Sequence, residues 1–245
     1  MSYTDEALKF VATQAETAAE KRLLHDGDRT FLVDRDGDIR EYRPDDGAKS
    51  SLKVHTLTAA INYISNTLER RGIPLIVNIL DQDHVQVMSE LDRFGNRECL
   101  LEAEALHPSF PFGRFISSEE AIIGLQSQFV QTSNMKLLLS FVGNLKEDAV
   151  TTSVDDGISQ TATVRAGVAS VAKGTAPNPI ALRPYRTFNE VEQPESEFVF
   201  RLHEGMHVGL FEGDGAQWRN EAIWNVSEFL KNQLADKRDH VTILC

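Results

Sequence analysis

Phe198-Val199-Phe200-Arg201-Leu202-His203-Glu204-Gly205-Met206-His207-Val208-Gly209-Leu210-Phe211 is the stretch on which the fold turns. Read by its centre, residues 203–207 spell H-E-x-x-H. In zinc peptidases that pattern works because two histidines four apart share one helical face and the glutamate between them serves as base. Read by its flanks, the same stretch is a β-hairpin, with apolar, β-prone runs on either side and Glu204-Gly205 at the turn. The readings exclude each other, because the zinc motif requires its helix. The flanks decide for the hairpin, which makes the imidazoles of His203 and His207 straddle a turn. In the rejected zinc-hydrolase reading, Glu228, 21 residues after His207, is the third ligand.

Hairpins recur on both sides. Thr30–Val33 and Ile39–Tyr42 flank Asp36-Gly37-Asp38, and Val150–Val154 and Ile158–Val171 flank Asp155-Asp156-Gly157. Asp34-Arg35-Asp36-Gly37-Asp38 imitates the start of a calcium loop, but Ile39 stands where that loop needs glycine and Asp45 where it needs glutamate. Further strands are expected over 75–80, 85–91, 97–105, 180–188 and 241–244. Helices are expected over 4–24 (Leu8, Val11, Ala12 and Ala15 on one face), 56–70, 134–145 and 214–234, the last capped by Asp214. Another opens at the capping box Ser117-Ser118-Glu119-Glu120. Strands joined by hairpins favour an α+β class: a mainly antiparallel sheet with hairpins, flanked by about five helices. The polar stretch Arg43–Ser51 reads as a linker between a helix-and-hairpin piece, 1–50, and a main domain, 51–245.

The composition narrows the function classes. A chain of 245 residues can bury a core without staples, and its two cysteines, Cys99 and Cys245, make neither a disulfide framework nor a zinc site. A net charge of −12 argues against binding duplex nucleic acid, whose affinity comes largely from phosphate neutralisation. No apolar run is long enough for a membrane helix, and Met1–Glu6 lacks the basic start of a secretory signal, so a cytoplasmic protein is expected. There is no G-x-G-x-x-G, phosphate-binding lysine loop or G-x-S-x-G elbow, and no cofactor is expected. One group of residues suits a ligand. Arg165, Arg183, Arg186 and Arg201 fall on expected strands beside Tyr185, an arrangement that holds a phosphate or nucleotide through bidentate bonds and stacking. Glu190, Glu192, Glu195 and Glu197 lie in the same stretch, and pairing with them is the favoured reading.

Asp155-Asp156-Gly157-Ile158-Ser159-Gln160, Pro177-Asn178-Pro179, Arg183-Pro184-Tyr185-Arg186-Thr187-Phe188, Glu192-Gln193-Pro194-Glu195-Ser196 and Phe211-Glu212-Gly213-Asp214-Gly215 follow one another in order. Together, over residues 112–218, they resemble a family of uncharacterised phage and prophage proteins. The resemblance implies a phage origin and a place in the host cytoplasm, and it transfers no catalytic residue. The expected function is therefore non-enzymatic: self-association, or binding of a host or phage protein partner. A nucleotide-sequestering module using the arginines is the alternative, and a zinc hydrolase the third. The apolar terminal segment Val241-Thr242-Ile243-Leu244 and the alanine-rich first helix are expected to hold a homo-oligomer, the strand completing a neighbour's sheet.

Overall fold

The computed structural model describes residues 4–20, 22–34, 36–43, 47–66, 72–145, 154–155, 160–165, 171–175 and 177–245, with the backbone alone at 18–20, 154–155, 160–165 and 171–175. It divides into two units, residues 1–47 and 48–245.

The first unit runs α1 (Asp5–Glu20), β1 (Leu23–Asp26), β2 (Arg29–Val33) and β3 (Ile39–Glu41), the strands forming an antiparallel meander in that order. The helix, expected to reach residue 24, stops at Glu20, because Leu23 and Leu24 pair with Leu32 and Phe31. Gly27, at φ 57°, supplies the left-handed position that this two-residue hairpin needs. The acids of the next turn do local work: Asp34 Oδ1 accepts the N–H groups of Asp36 and Asp38 at 2.9 and 3.0 Å.

The second unit contains two layered sheets. The first comprises β4 (Leu52–Val54), β5 (Leu75–Ile79), β6 (His84–Ser89), β7 (Cys99–Glu104) and β15 (Val241–Leu244), in the order β15-β5-β6-β7-β4. Its inner pairs are antiparallel and both edge pairs are parallel. Val77, Ile79, Val85 and Val87 alternate inward along β5 and β6. They meet Leu57 and Ile64 of α2 (Leu57–Ser65) and Val226 and Leu230 of α5 (Trp218–Gln233) in one core.

The second sheet has the order β12-β13-β14-β8, from Ile180–Leu182, Ser196–His203, His207–Glu212 and Phe115–Ser117. Leu125 of α3 (Ser118–Ser127) and Met135 and Leu138 of α4 (Ser133–Gly143) pack with Phe198, Phe200 and Leu210. Ser117 caps α3 as expected, its hydroxyl accepting the Glu120 N–H at 3.2 Å. β12 ends six residues short of the expected Phe188, because Pro184 has no N–H for a ladder. Asp214 does not cap α5: its Oδ1 accepts the Ala216 N–H in the preceding turn, and the helix opens at Trp218. A small antiparallel sheet pairs β10 (Gln160–Arg165) with β9 (Val154–Asp155) and β11 (Val171–Thr175). Val150 and the turn residues Asp156 and Gly157 lie outside the described residues. The five α-helices and the mostly antiparallel strands among the described residues make an α+β fold.

The terminal strand departs from expectation. Instead of completing a neighbour's sheet, Val241–Leu244 pairs in parallel with Leu75–Asn78 of its own chain. The Leu75 N–H reaches His240 O at 2.8 Å, and Val241 is buried against the α5 core. Removing residues 241–245 is accordingly expected to destabilise the chain by at least the roughly 1.5–3 kcal/mol of burying Val241. Native mass should stay unchanged. A truncated protein with an unaltered thermal midpoint and a smaller assembly would reverse this assignment.

Candidate functional site

The arginines picked out by the sequence have different surroundings where their side chains are described. Arg183, just past β12, is ion-paired with Glu192 and, at 3.4 Å, with Glu195. The Glu192 bond holds its pKa above the ordinary value. This is the glutamate pairing expected of the region. Arg186 is different, for it is only 6 % exposed. Its guanidinium lies 3.7 Å from the Trp218 ring centroid, donates to Glu212 Oε1 at 2.6 Å and bonds Ser196 Oγ. Burial pushes the guanidinium down to about 10 against the pull of Glu212, so it stays cationic at neutral pH. Arg186 thus joins the start of α5 to the second sheet instead of facing a ligand. Arg201 stands on the face of β13 opposite to Phe198 and Phe200, towards which Arg186 packs. Tyr185 is half-buried, its backbone N–H bonded to Gln128 O, and the side chain of Arg165 lies outside the described residues.

A cleft of about 640 Å³ opens beside Arg183, between β12, β13 and the start of α5. Glu195, Glu197, Asp214 and Glu221 line it, and Arg183 is the one arginine among its lining residues. Those carboxylates repel the phosphate that the arginine reading required. Of the set Arg165, Arg183, Tyr185, Arg186 and Arg201, Arg183 lines this cleft, and Arg183 and Arg186 are both ion-paired with glutamates.

The H-E-x-x-H pentapeptide is a hairpin. β13 ends at His203, β14 begins at His207, and the two are cross-strand partners. Gly205 (φ 71°) and Met206 (φ 59°) make the turn between them. The His203 ring packs 5.0 Å from Phe115, and His207 Nδ1 donates to Glu204 O at 2.9 Å. Glu228, on α5, pairs with Lys231. His203, His207 and Glu228 do not form a three-donor cluster among the described residues, so the zinc-hydrolase ligand set is not met.

A different group of donors is brought together at one end of the first sheet. The loop 80–83 joins β5 to β6, and antiparallel register sets His84 opposite Glu104 of β7. His84 Nδ1 faces Asp83 Oδ1 at 3.1 Å and Asp81 Oδ1 at 3.3 Å, while its Nε2 stands 3.6 Å from Glu104 Oε1. His107, just past β7, places Nε2 3.2 Å from Asp83 Oδ2. Parallel pairing of β4 with β7 brings His55 level, its Nδ1 2.9 Å from Glu104 O. Burial works against the charged form of His84, but Asp81, Asp83 and Glu104 outweigh it and hold its pKa above the ordinary value. Burial likewise opposes ionisation of Asp81, yet bonds from Asp83 and the nearness of His84 keep its pKa below the usual carboxylate range. Asp81, Asp83 and His84 offer three ligand atoms within 4.8 Å of one another. Sequence reading saw only scattered histidines here. The available signal was local: Asp81-Gln82-Asp83-His84 between two strands.

Comparison of the chain with protein-family models, with curated proteins and with solved structures finds no match.

Proposed function

We propose that this protein works by self-association rather than catalysis, with the first unit as its docking element and a second copy of the chain as the occupant. One observation carries the reading: among the described residues of the first unit, none is buried. Leu8, Phe10 and Val11 of α1 are 56, 65 and 62 % exposed, and Leu23, Leu24, Ile39 and Tyr42 are exposed on the meander. A lone helix of this length is marginal in water, and a three-stranded sheet needs a covered apolar face to persist. A second copy supplies a matching surface by symmetry, since a two-fold interface joins a patch to itself. The small side chains of Ala12 and Ala15 beside Leu8 and Val11 let two such helices approach closely. The setting we propose is the cytoplasm of a phage-infected host; it rests on the resemblance of residues 112–218 alone.

Light scattering on the full chain tests this. The expected native mass is at least twice the chain's 27.4 kDa. Replacing Leu8, Phe10 and Val11 together by aspartate is expected to return it to a single chain, without altering the thermal unfolding of the second unit. A wild-type protein that stays monomeric at micromolar concentration overturns the reading.

A further inference from the structure

We propose that Asp81, Asp83 and His84 form a binding site for a divalent transition-metal ion of the zinc or manganese kind, ligated by one oxygen of each carboxylate and by Nδ1 of the imidazole. Their spacing already fits. His84 Nδ1 is 3.3 Å from Asp81 Oδ1 and 3.1 Å from Asp83 Oδ1. An ion held at about 2.0–2.2 Å by tetrahedral ligands separates them by roughly 3.3–3.6 Å, so the Asp81 pair already matches and the Asp83 pair opens by about 0.2–0.5 Å to admit it. All three donors lie within 4.8 Å of one another. One nitrogen with two oxygens suits zinc or manganese; calcium takes about 6–8 oxygens, and magnesium prefers carboxylate and water.

The surroundings match the requirements of such a site. Glu104 Oε1 stands 3.6 Å from Nε2 of His84, near enough to attract a proton to that nitrogen, as in carboxylate–histidine–metal arrangements. A metal at Nδ1 displaces the proton that Nδ1 now presents to Asp83. His107 holds the second oxygen of Asp83, which directs the first towards His84. The Asp83 N–H, bonded to Asp81 Oδ1 at 3.0 Å, closes the loop so that both carboxylates face the ring. Glu104 and His107 come from the end of β7 and the residues just past it, on a different stretch of chain from the loop they face. The side chains of Asp81, Asp83 and His84 are 46, 21 and 39 % exposed, so an ion has a path in and water can fill its remaining positions. The site shares no residue with the docking element of the first unit, and either can fail without the other.

An imidazolium clasped by carboxylates has similar spacing, and the experiment must separate the two. Isothermal titration of the full chain with zinc chloride and with manganese chloride, at neutral pH, is expected to show about one ion bound per chain. His84→Ala and Asp83→Asn should each weaken binding at least tenfold, and His107→Gln by about 10–100-fold through loss of the orienting bond. His203→Ala, on the hairpin, should bind as wild type does. Circular dichroism establishes that each variant is folded, and Asp83→Asn, nearly isosteric, serves if His84→Ala does not fold. Absence of binding by the wild type, unchanged affinity in the folded Asp83 and His84 variants, or loss of binding on replacing His203 would each overturn the proposal.

Discussion

Arg186→Ala is expected to lower the unfolding free energy by about 3 kcal/mol, because it removes one partner of a buried ion pair. Arg186 is 6 % exposed and bonds both Glu212 and Ser196, so truncation leaves their oxygens facing a void beside Trp218. The guanidinium–indole stack at 3.7 Å is lost as well, worth about 0.5–2 kcal/mol by itself. The Glu212 side chain is 36 % exposed, so water recovers part of its solvation, and the expected figure sits at the low end for buried pairs. Arg183→Ala is the internal control: its pairs are with well-exposed glutamates, and its expected change is within about 0.5 kcal/mol. Urea denaturation of both variants decides the matter. Equal stabilities would show that Arg186 is not a structural residue, and would return it to the ligand-binding role suggested by its sequence neighbourhood.

Phe198→Ala is expected to cost more, about 3–5 kcal/mol. Phe198 is fully buried on β13, an inner strand of the second sheet, and its ring stacks on Phe112 at 5.1 Å and 19°. Phe112 in turn meets Phe110 and Phe129, so the cavity opens in the middle of an aromatic cluster whose rings cannot all collapse inward. Against a typical total of about 5–15 kcal/mol, such a loss is a large part of the stability. The Arg186 guanidinium lies 5.7 Å from the Phe198 ring, so the double variant should lose less than the two single losses added together. The readouts are chemical denaturation and the near-ultraviolet aromatic signal. A loss below about 1 kcal/mol would mean that the cluster repacks freely, contrary to its close-packed geometry.

What the sequence determined by itself was whatever depends on neighbours along the chain. The hairpin over 198–211 was legible because apolar residues alternate on both flanks and Gly205 stands where the backbone must turn left-handed. That same reading disposed of the zinc motif, since His203 and His207 cannot share a helical face on paired strands. The Ser117 cap and the Asp34 turn were legible for the same reason: donor and acceptor lie within four residues. Partners across long separations carry no such local mark, and tertiary structure alone decided them. Val241–Leu244 reads as a strand in need of an edge, but nothing in those residues says that the edge is Leu75–Asn78 of the same chain. Leu52-Lys53-Val54 is too short to announce itself, and becomes a strand because β7 offers it a ladder. Arg186 looks like a surface arginine until the fold places Trp218 over it and Glu212 beside it. His55, His84 and His107 are separated by more than twenty residues each, and only the register of β4, β6 and β7 brings them to one end of a sheet. Period and turn chemistry act over a few residues and are written into the chain, whereas pairing and burial are settled by which surfaces exclude water together.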